Sequence, residues 1–256
     1  MTMQIDEIVA EVVARADGAG IMLDVDGTLA PIVPRPELAR VLPDVPSLLE
    51  RLVRRIGVVA VISGRRSEEV RALVEVPGLE VVGTHGLEGI AEIDGDALVA
   101  ITDVAGALGA WVESKGAAVA VHFRALADPE AAMRAAGGSL TTVAAANGLE
   151  LVPGRAILEL MPVGGPRKGD AVQLLVEGDD LEAVLFAGDD VGDLDAFAAL
   201  RRLRAAGLWT CAVAAGGAEV SAAVLEAADV VVDGPRGVVK LLSAIADELD
   251  REAAGP

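Results

Sequence analysis

Tyrosine is absent from this chain, and only three phenylalanines and two tryptophans occur in its 256 residues. A surface so poor in rings has little with which to stack nucleic-acid bases. Its interior must instead be built from Val, Leu, Ile and Ala. A single cysteine, Cys211, excludes an internal disulfide, and its apolar setting, Leu-Trp-Thr-Cys-Ala-Val-Ala, predicts a buried strand residue rather than a nucleophile. No apolar run approaches the ~18 to 20 residues of a membrane span. The start, Met-Thr-Met-Gln-Ile-Asp-Glu, has no basic segment of the secretory kind, so the expected location is the cytoplasm. Lysine occurs only at positions 115, 168 and 240, and histidine only at 85 and 122.

Positive charge is the scarcest commodity of all. Against 40 Asp and Glu stand 21 Lys and Arg, a net charge of −19. That balance argues against nucleic acid and anionic membrane as partners. A phosphorylated small molecule would also be repelled at long range, so a bound metal or a few placed Lys and Arg side chains must hold it. The chain is otherwise 53% hydrophobic and 24% charged, the composition of a globular protein of one large or two modest domains.

What is present alternates. Helical spacing at Ile5 to Ala16 precedes an apolar strand at Ala19 to Leu23. An amphipathic helix at Asp44 to Arg55 precedes a strand at Val58 to Ile62, after which Ser67 is placed to cap the next helix and Glu80 to Gly83 reads as a strand. The last third repeats the scheme: a helix from Lys168, strands at Ala183 to Ala187, Trp209 to Ala214 and Asp229 to Val232, and helices from about Asp193, from about Glu219 and to about Leu249. Apolar strands alternating with helices predict a Rossmann-like, doubly wound parallel sheet.

From Glu92 to Gly165 the pattern changes. Asp94-Gly95 reads as a turn between two short strands, followed by a helix near Val104 to Glu113 and a strand at Ala117 to Phe123. An Ala-rich helix at Pro129 to Ala146 and two strands around Pro153-Gly154 complete a small α+β insertion. The expected organisation is a discontinuous core, 1–91 and 166–256, carrying an inserted cap, 92–165.

Ligands of open α/β sheets bind beyond the carboxyl ends of the strands. Beyond the first strand stand Asp24 and Asp26, two carboxylates two residues apart, then Gly27 and Thr28. Asp24 can serve as nucleophile or metal ligand, and Asp26 as proton donor to a leaving group. Taken alone, the segment also reads as an ordinary strand-to-loop turn. Its partners argue otherwise. The second strand ends in Ser63-Gly64-Arg65, the strand at 183–187 ends in Gly188-Asp189-Asp190-Val191-Gly192-Asp193, and Lys168 opens a helix. A carboxylate pair, a hydroxyl, a lysine and further carboxylates for a hard divalent ion compose a phosphoryl-transfer site.

In order and spacing, Asp24-Val-Asp26-Gly27-Thr28, Ser63, Lys168 and Gly188 to Asp193 resemble the four motifs of the haloacid dehalogenase superfamily of phosphatases. The resemblance implies that Asp24 attacks phosphorus to form an aspartyl-phosphate and that Asp26 protonates the leaving oxygen. It further implies that Thr28, Ser63 and Lys168 serve the phosphoryl group. Mg2+ would be held by Asp24, the Asp26 backbone carbonyl and Asp189, with Asp193 near the metal or Lys168. The role of Asp190 stays open.

Further strings resemble the trehalose-6-phosphate phosphatases: Gly83-Thr-His85-Gly-Leu-Glu88, Glu113-Ser-Lys115, Val121-His122-Phe-Arg124, and Leu158-Glu159-Leu-Met161-Pro. They imply a cap offering Lys115, Arg124 and Glu159 to a phosphorylated disaccharide. A monomer is expected. On its own, a Lys at a helix end and an Arg on a strand are equally solvated charges. His85 is expected to be a hinge residue, and the role of His122 is undetermined. Sucrose phosphate, a mannosyl-phosphoglycerate, a sugar phosphomutase reaction and a non-enzymatic binding module remain alternatives.

Overall fold

The computed structural model describes residues 3–255; residues 1, 2 and 256, at the ends of the expected core segments, lie outside them. The chain forms two compact units. The first comprises the described residues up to Ile32, Ala39–Gly86, and the chain from Arg167 onward; the second comprises Val33–Leu38 and Leu87–Pro166.

The first unit is a six-stranded parallel sheet in the order β10-β9-β8-β1-β2-β3. Its strands are β1 (Ala19–Leu23), β2 (Val58–Ile62), β3 (Glu80–Val82), β8 (Ala183–Gly188), β9 (Trp209–Gly216) and β10 (Val230–Asp233). β1, β2 and β8 are buried at every position, so both faces must be apolar and side-chain alternation is lost, as parallel strands covered on both sides require. One face packs on α1 (Ile5–Val13), α2 (Val45–Val53), α3 (Ser67–Val74) and the long α9 (Gly234–Ala254). The other packs on α6 (Lys168–Gly178), α7 (Leu194–Ala205) and α8 (Ala222–Ala227).

α9 shows how the sequence sets this packing. Val238, Leu241, Leu242, Ile245, Ala246 and Leu249 recur at the spacing of one helical face and are all buried. Each large aliphatic side chain so placed contributes about 1.5–3 kcal/mol. Phe186 and Phe197, two of the three phenylalanines, meet edge to face at 6.0 Å on the opposite side of the sheet.

The second unit is a four-stranded antiparallel sheet, order β4-β5-β7-β6, formed by β4 (Trp111–Ser114), β5 (Val119–His122), β6 (Leu149–Gly154) and β7 (Ile157–Pro162). α4 (Gly95–Gly106) and α5 (Pro129–Ala146) pack on one of its faces through Ile101, Ala105, Ala136, Leu140 and Ala144. Here the structure corrects two expectations. Asp94-Gly95 is a helix start rather than a hairpin turn, because the Asp94 carboxylate accepts the Asp96 N–H and satisfies a free helix N-terminal donor. The helix therefore lies at 95–106, and Trp111 to Glu113, read as the end of a helix, belong to the edge strand Trp111–Ser114. A third correction concerns Ser67. It is the first residue of α3, and its hydroxyl accepts from Gly83 N at 3.0 Å instead of capping its own helix.

Candidate active site

The parallel ladder carries Asp24 past the end of β1. Asp24 N donates to Ala187 O at 2.9 Å, which fixes this residue beside the end of β8. The chain then folds back within six residues, with Leu29 N and Ala30 N donating to Val25 O and Gly27 N to Ala30 O. Val25, Leu29 and Ala30 are buried and anchor the loop. Gly27 is demanded twice over. Its φ is 85°, and a Cβ there would stand 1.9 Å from Asp189 Oδ2. The first motif's backbone thus touches the carboxylate delivered by the end of β8.

Three groups meet in this interior. Lys168 Nζ, at the first residue of α6, lies 2.8 Å from Asp24 Oδ1 and 2.6 Å from Asp193 Oδ1. A cation at a helix N-terminus opposes the helix dipole, and the two carboxylates more than compensate. All three residues are buried. Burial alone would lower the lysine's proton affinity, but Asp193 and Asp24 hold it well above the usual lysine range. Asp24 is pushed up to about 7, chiefly by burial, with Lys168 opposing and Asp193 and Asp26 adding to the rise.

Asp193 is heavily engaged. Its second oxygen, Oδ2, accepts from Asp189 N at 2.8 Å and Asp190 N at 2.9 Å. A Cβ on Gly188 would stand 2.3 Å from its Cγ, so only glycine admits the carboxylate so close to the strand end. Asp190 Oδ1 in turn accepts from Val191 N, which gives this residue a loop-shaping contact.

Carboxylate oxygens of Asp24, Asp189 and Asp193 all lie within 4.8 Å of one another, and all three residues are buried. Three buried carboxylates against one lysine leave a negative excess. An all-oxygen donor set of that charge fits a hard divalent cation.

Asp26 behaves differently from its neighbour. Arg65 grips it in a bidentate pair, Nε to Oδ2 at 2.6 Å and Nη2 to Oδ1 at 2.8 Å. The Asp26 side chain remains one-third exposed. Sequence reading placed Arg65 at the end of the second strand but gave it no role, although its position beside Ser63 was the available signal. Ser63 is buried, and its Oγ accepts from Arg65 N at 3.2 Å. Thr84 N donates to Arg65 O and His85 N to Ser63 O, both from left-handed backbone. His85 therefore braces the second motif through its main chain. Thr28 is fully buried, and its Oγ1 makes no hydrogen bond.

In the second unit, Lys115 Nζ and Glu159 Oε1 meet at 2.8 Å. Arg124 stands two residues past His122 and donates from Nη2 to Arg155 O at 3.2 Å, in the turn between β6 and β7. Sequence reading missed the companion pair, in which His122 Nε2 lies 2.9 Å from Glu113 Oε2.

A family model for trehalose-phosphatases matches residues 22–102 and 97–230. The chain belongs to the trehalose-phosphatase family. Within the family's wider kin, it is 31% identical over 207 residues to a trehalose-phosphate phosphatase of Mycobacterium avium, covering 71% of this chain and 51% of that protein. An uncharacterized glycosyl hydrolase of Mycobacterium tuberculosis is 36% identical over 212 residues, 71% of this chain but 15% of the relative. The chain thus spans from less than a sixth to about half of these relatives. Among solved structures, the C-terminal domain of C. albicans trehalose-6-phosphate phosphatase shares the fold with a TM-score of 0.81 at 21% identity, over 96% of this chain and 97% of that one. Among the described residues, no helix is long and apolar enough to cross a membrane.

Proposed function

We infer that this chain hydrolyses trehalose 6-phosphate to trehalose and inorganic phosphate. The observation that carries the reading is the contact of Asp24, Lys168 and Asp193 at the carboxyl ends of β1 and β8, in a chain of the trehalose-phosphatase family.

Asp24 is the nucleophile. Its carboxylate oxygen forms a bond to phosphorus as the bond from phosphorus to the sugar oxygen breaks, giving an aspartyl-phosphate. Asp26 donates a proton to the departing sugar oxygen. In the second half of the reaction Asp26 takes a proton from water, whose oxygen bonds to phosphorus as the bond from phosphorus to the Asp24 oxygen breaks, which releases inorganic phosphate and regenerates the Asp24 carboxylate. Arg65 orients the Asp26 carboxyl between these two tasks. Lys168 carries the charge that crowded carboxylates and a phosphoryl group would otherwise oppose, and Asp193 holds Lys168 in place. Ser63 and Thr28 are assigned to the phosphoryl-binding loop set.

Asp24, the Asp26 main-chain carbonyl, Asp189 and Asp193 would hold Mg2+. Bound there, such an ion supplies electrostatic stabilisation of phosphoryl oxygens facing a carboxylate nucleophile. Lys115, Arg124 and Glu159 are assigned to the sugar, since a disaccharide ringed by hydroxyls is recognised through directional hydrogen bonds.

A panel assay tests the reading. Phosphate release with Mg2+ is expected from trehalose 6-phosphate well above glucose 6-phosphate, sucrose phosphate and a mannosyl-phosphoglycerate. Comparable rates across unrelated sugar phosphates would remove the trehalose assignment. Isomerised phosphosugar without free phosphate would replace hydrolysis by a mutase reaction.

A further inference from the structure

The helices of the second unit cover the sheet face that presents Val119, Val121, Leu158 and Leu160. The strand register places other residues together on the opposite face. Trp111, His122 and Ile157 form one row across β4, β5 and β7, and Glu113, Ala120 and Glu159 form the next. Lys115 joins the second row by its contact with Glu159.

Charge on this face is organised rather than solvated. Lys115, Glu159, Glu113 and His122 have side chains no more than one-fifth exposed and are linked by contacts of 2.8 to 4.0 Å. Beside them stands the opposite of what burial predicts. Trp111 is 49% exposed, with its indole tilted 37° on the His122 imidazole at a centroid distance of 4.5 Å. A chain with two tryptophans and no tyrosine holds one of them in water, against a polar row. An accessible indole stacked on an imidazole and bordered by largely buried carboxylates joins an apolar face to placed polar groups, the composition of a small-molecule site.

A pyranose ring matches both halves of the arrangement. Its equatorial hydroxyls donate to carboxylates, each of which has acceptor capacity beyond one partner. Its axial C–H bonds form a flat apolar face that packs on an aromatic ring. A nucleobase would bring few donors for two carboxylates, whereas a pyranose brings several. We propose that Trp111, backed by His122, is the stacking platform for a pyranose ring of the substrate, and so a specificity-determining residue for the carbohydrate. Its role rests on the sugar-phosphatase reading, yet binding of the sugar alone can be measured apart from turnover.

The experiment compares wild type, Trp111→Ala and Trp111→Phe with trehalose 6-phosphate and with acetyl phosphate, a substrate without a ring. Tryptophan emission is recorded alongside on titration with trehalose. Loss of the indole is expected to raise KM for trehalose 6-phosphate about three- to tenfold with kcat little changed, as an aromatic contact of ordinary strength would. Trp111→Phe should recover most of the loss, and acetyl phosphate turnover should not respond. Trehalose should shift the emission of wild type but not that of Trp111→Phe.

Unchanged KM in Trp111→Ala together with no emission response overturns the platform while leaving the phosphatase reading intact. Equal losses on both substrates overturn it too, because a merely structural residue would behave so. If the wild type spares trehalose 6-phosphate but its emission still responds to trehalose, the platform stands and the assigned reaction falls.

Discussion

Two ion clusters in this molecule are built on opposite principles. Around Lys168, one cation and three carboxylates are sealed inside the parallel-sheet unit, and their negative excess suits a hard divalent cation. Around Lys115, the antiparallel unit lays out alternating charges on a sheet face, next to an exposed indole. The first arrangement tolerates almost no variation, since a methyl group on Gly27 or Gly188 would collide with it. The second is spread over neighbouring strands of an antiparallel sheet, and among the described residues no glycine constraint of that kind surrounds it. On the proposed reading, reaction type and substrate choice lie in different parts of the chain, and each can be attacked separately.

The largest expected effect is on the sealed cluster. Asp24→Asn removes the proposed nucleophile and should lower kcat by about ten-thousandfold or more. It should not lower the melting temperature in metal-free buffer, because it relieves one of several carboxylates crowded around a single lysine. Retained phosphate release would break the division, for the chemistry would then lie elsewhere.

Lys168→Met comes next and reverses the pattern. It strands Asp24 and Asp193 without their cation, and removing one partner of a buried ion pair costs about 3–5 kcal/mol. Denaturant titration should register that loss together with loss of activity. Asp24→Asn and Lys168→Met therefore share an activity phenotype but differ in stability. A stable Lys168→Met protein would show that the cluster is better solvated than its burial indicates.

The sheet-face cluster should give smaller and more selective effects. Lys115→Ala and Glu159→Gln are each expected to lower kcat/KM for trehalose 6-phosphate about ten- to a hundredfold, the range of lost polar contacts to a substrate. Acetyl phosphate should be hydrolysed as before. If both substrates lose equally, the two clusters are not separable and the comparison fails. The pair should also be non-additive in a double-mutant cycle, since the side chains touch at 2.8 Å.

Legibility in the sequence divides along the same line. Strands buried on both faces announce themselves as continuous apolar runs, so β1, β2 and β8 were readable, and the strand-end rule led from them to Asp24, Ser63 and Asp189. The inserted unit was harder. Gly95 to Gly106 has few strong periodic residues, and Asp-Gly suits a helix cap and a hairpin turn equally, so α4 and β4 were misplaced. Arg65 carried no signal beyond its position, because its pairing with Asp26 spans 39 residues and exists only in three dimensions. Trp111 was unreadable for a related reason: only the cross-strand register brings it onto His122.

The smallest effect comes from a third ion pair, which serves neither site and calibrates the other two. Arg204 Nη2 lies 2.5 Å from Asp229 Oδ2, an oxygen that also accepts from Ala212 N, and the same guanidinium donates to Thr210 O at 2.7 Å. Partial burial would raise the Asp229 carboxyl, but the bonds from Arg204 and Ala212 outweigh it and hold the group below the usual carboxylate range. A depressed carboxylate stabilises the fold at pH above its unfolded value and loses that contribution as pH falls through the folded one. Asp229→Asn should therefore lower stability at pH 7 by no more than about 1 kcal/mol, as a partly exposed pair would. The difference from wild type should shrink toward zero on acidification below pH ~4. Activity should not change. A loss at pH 7 as large as that of Lys168→Met would mean that burial does not rank these ion pairs, and the buried Lys168 cluster would owe its stability cost to something other than desolvation.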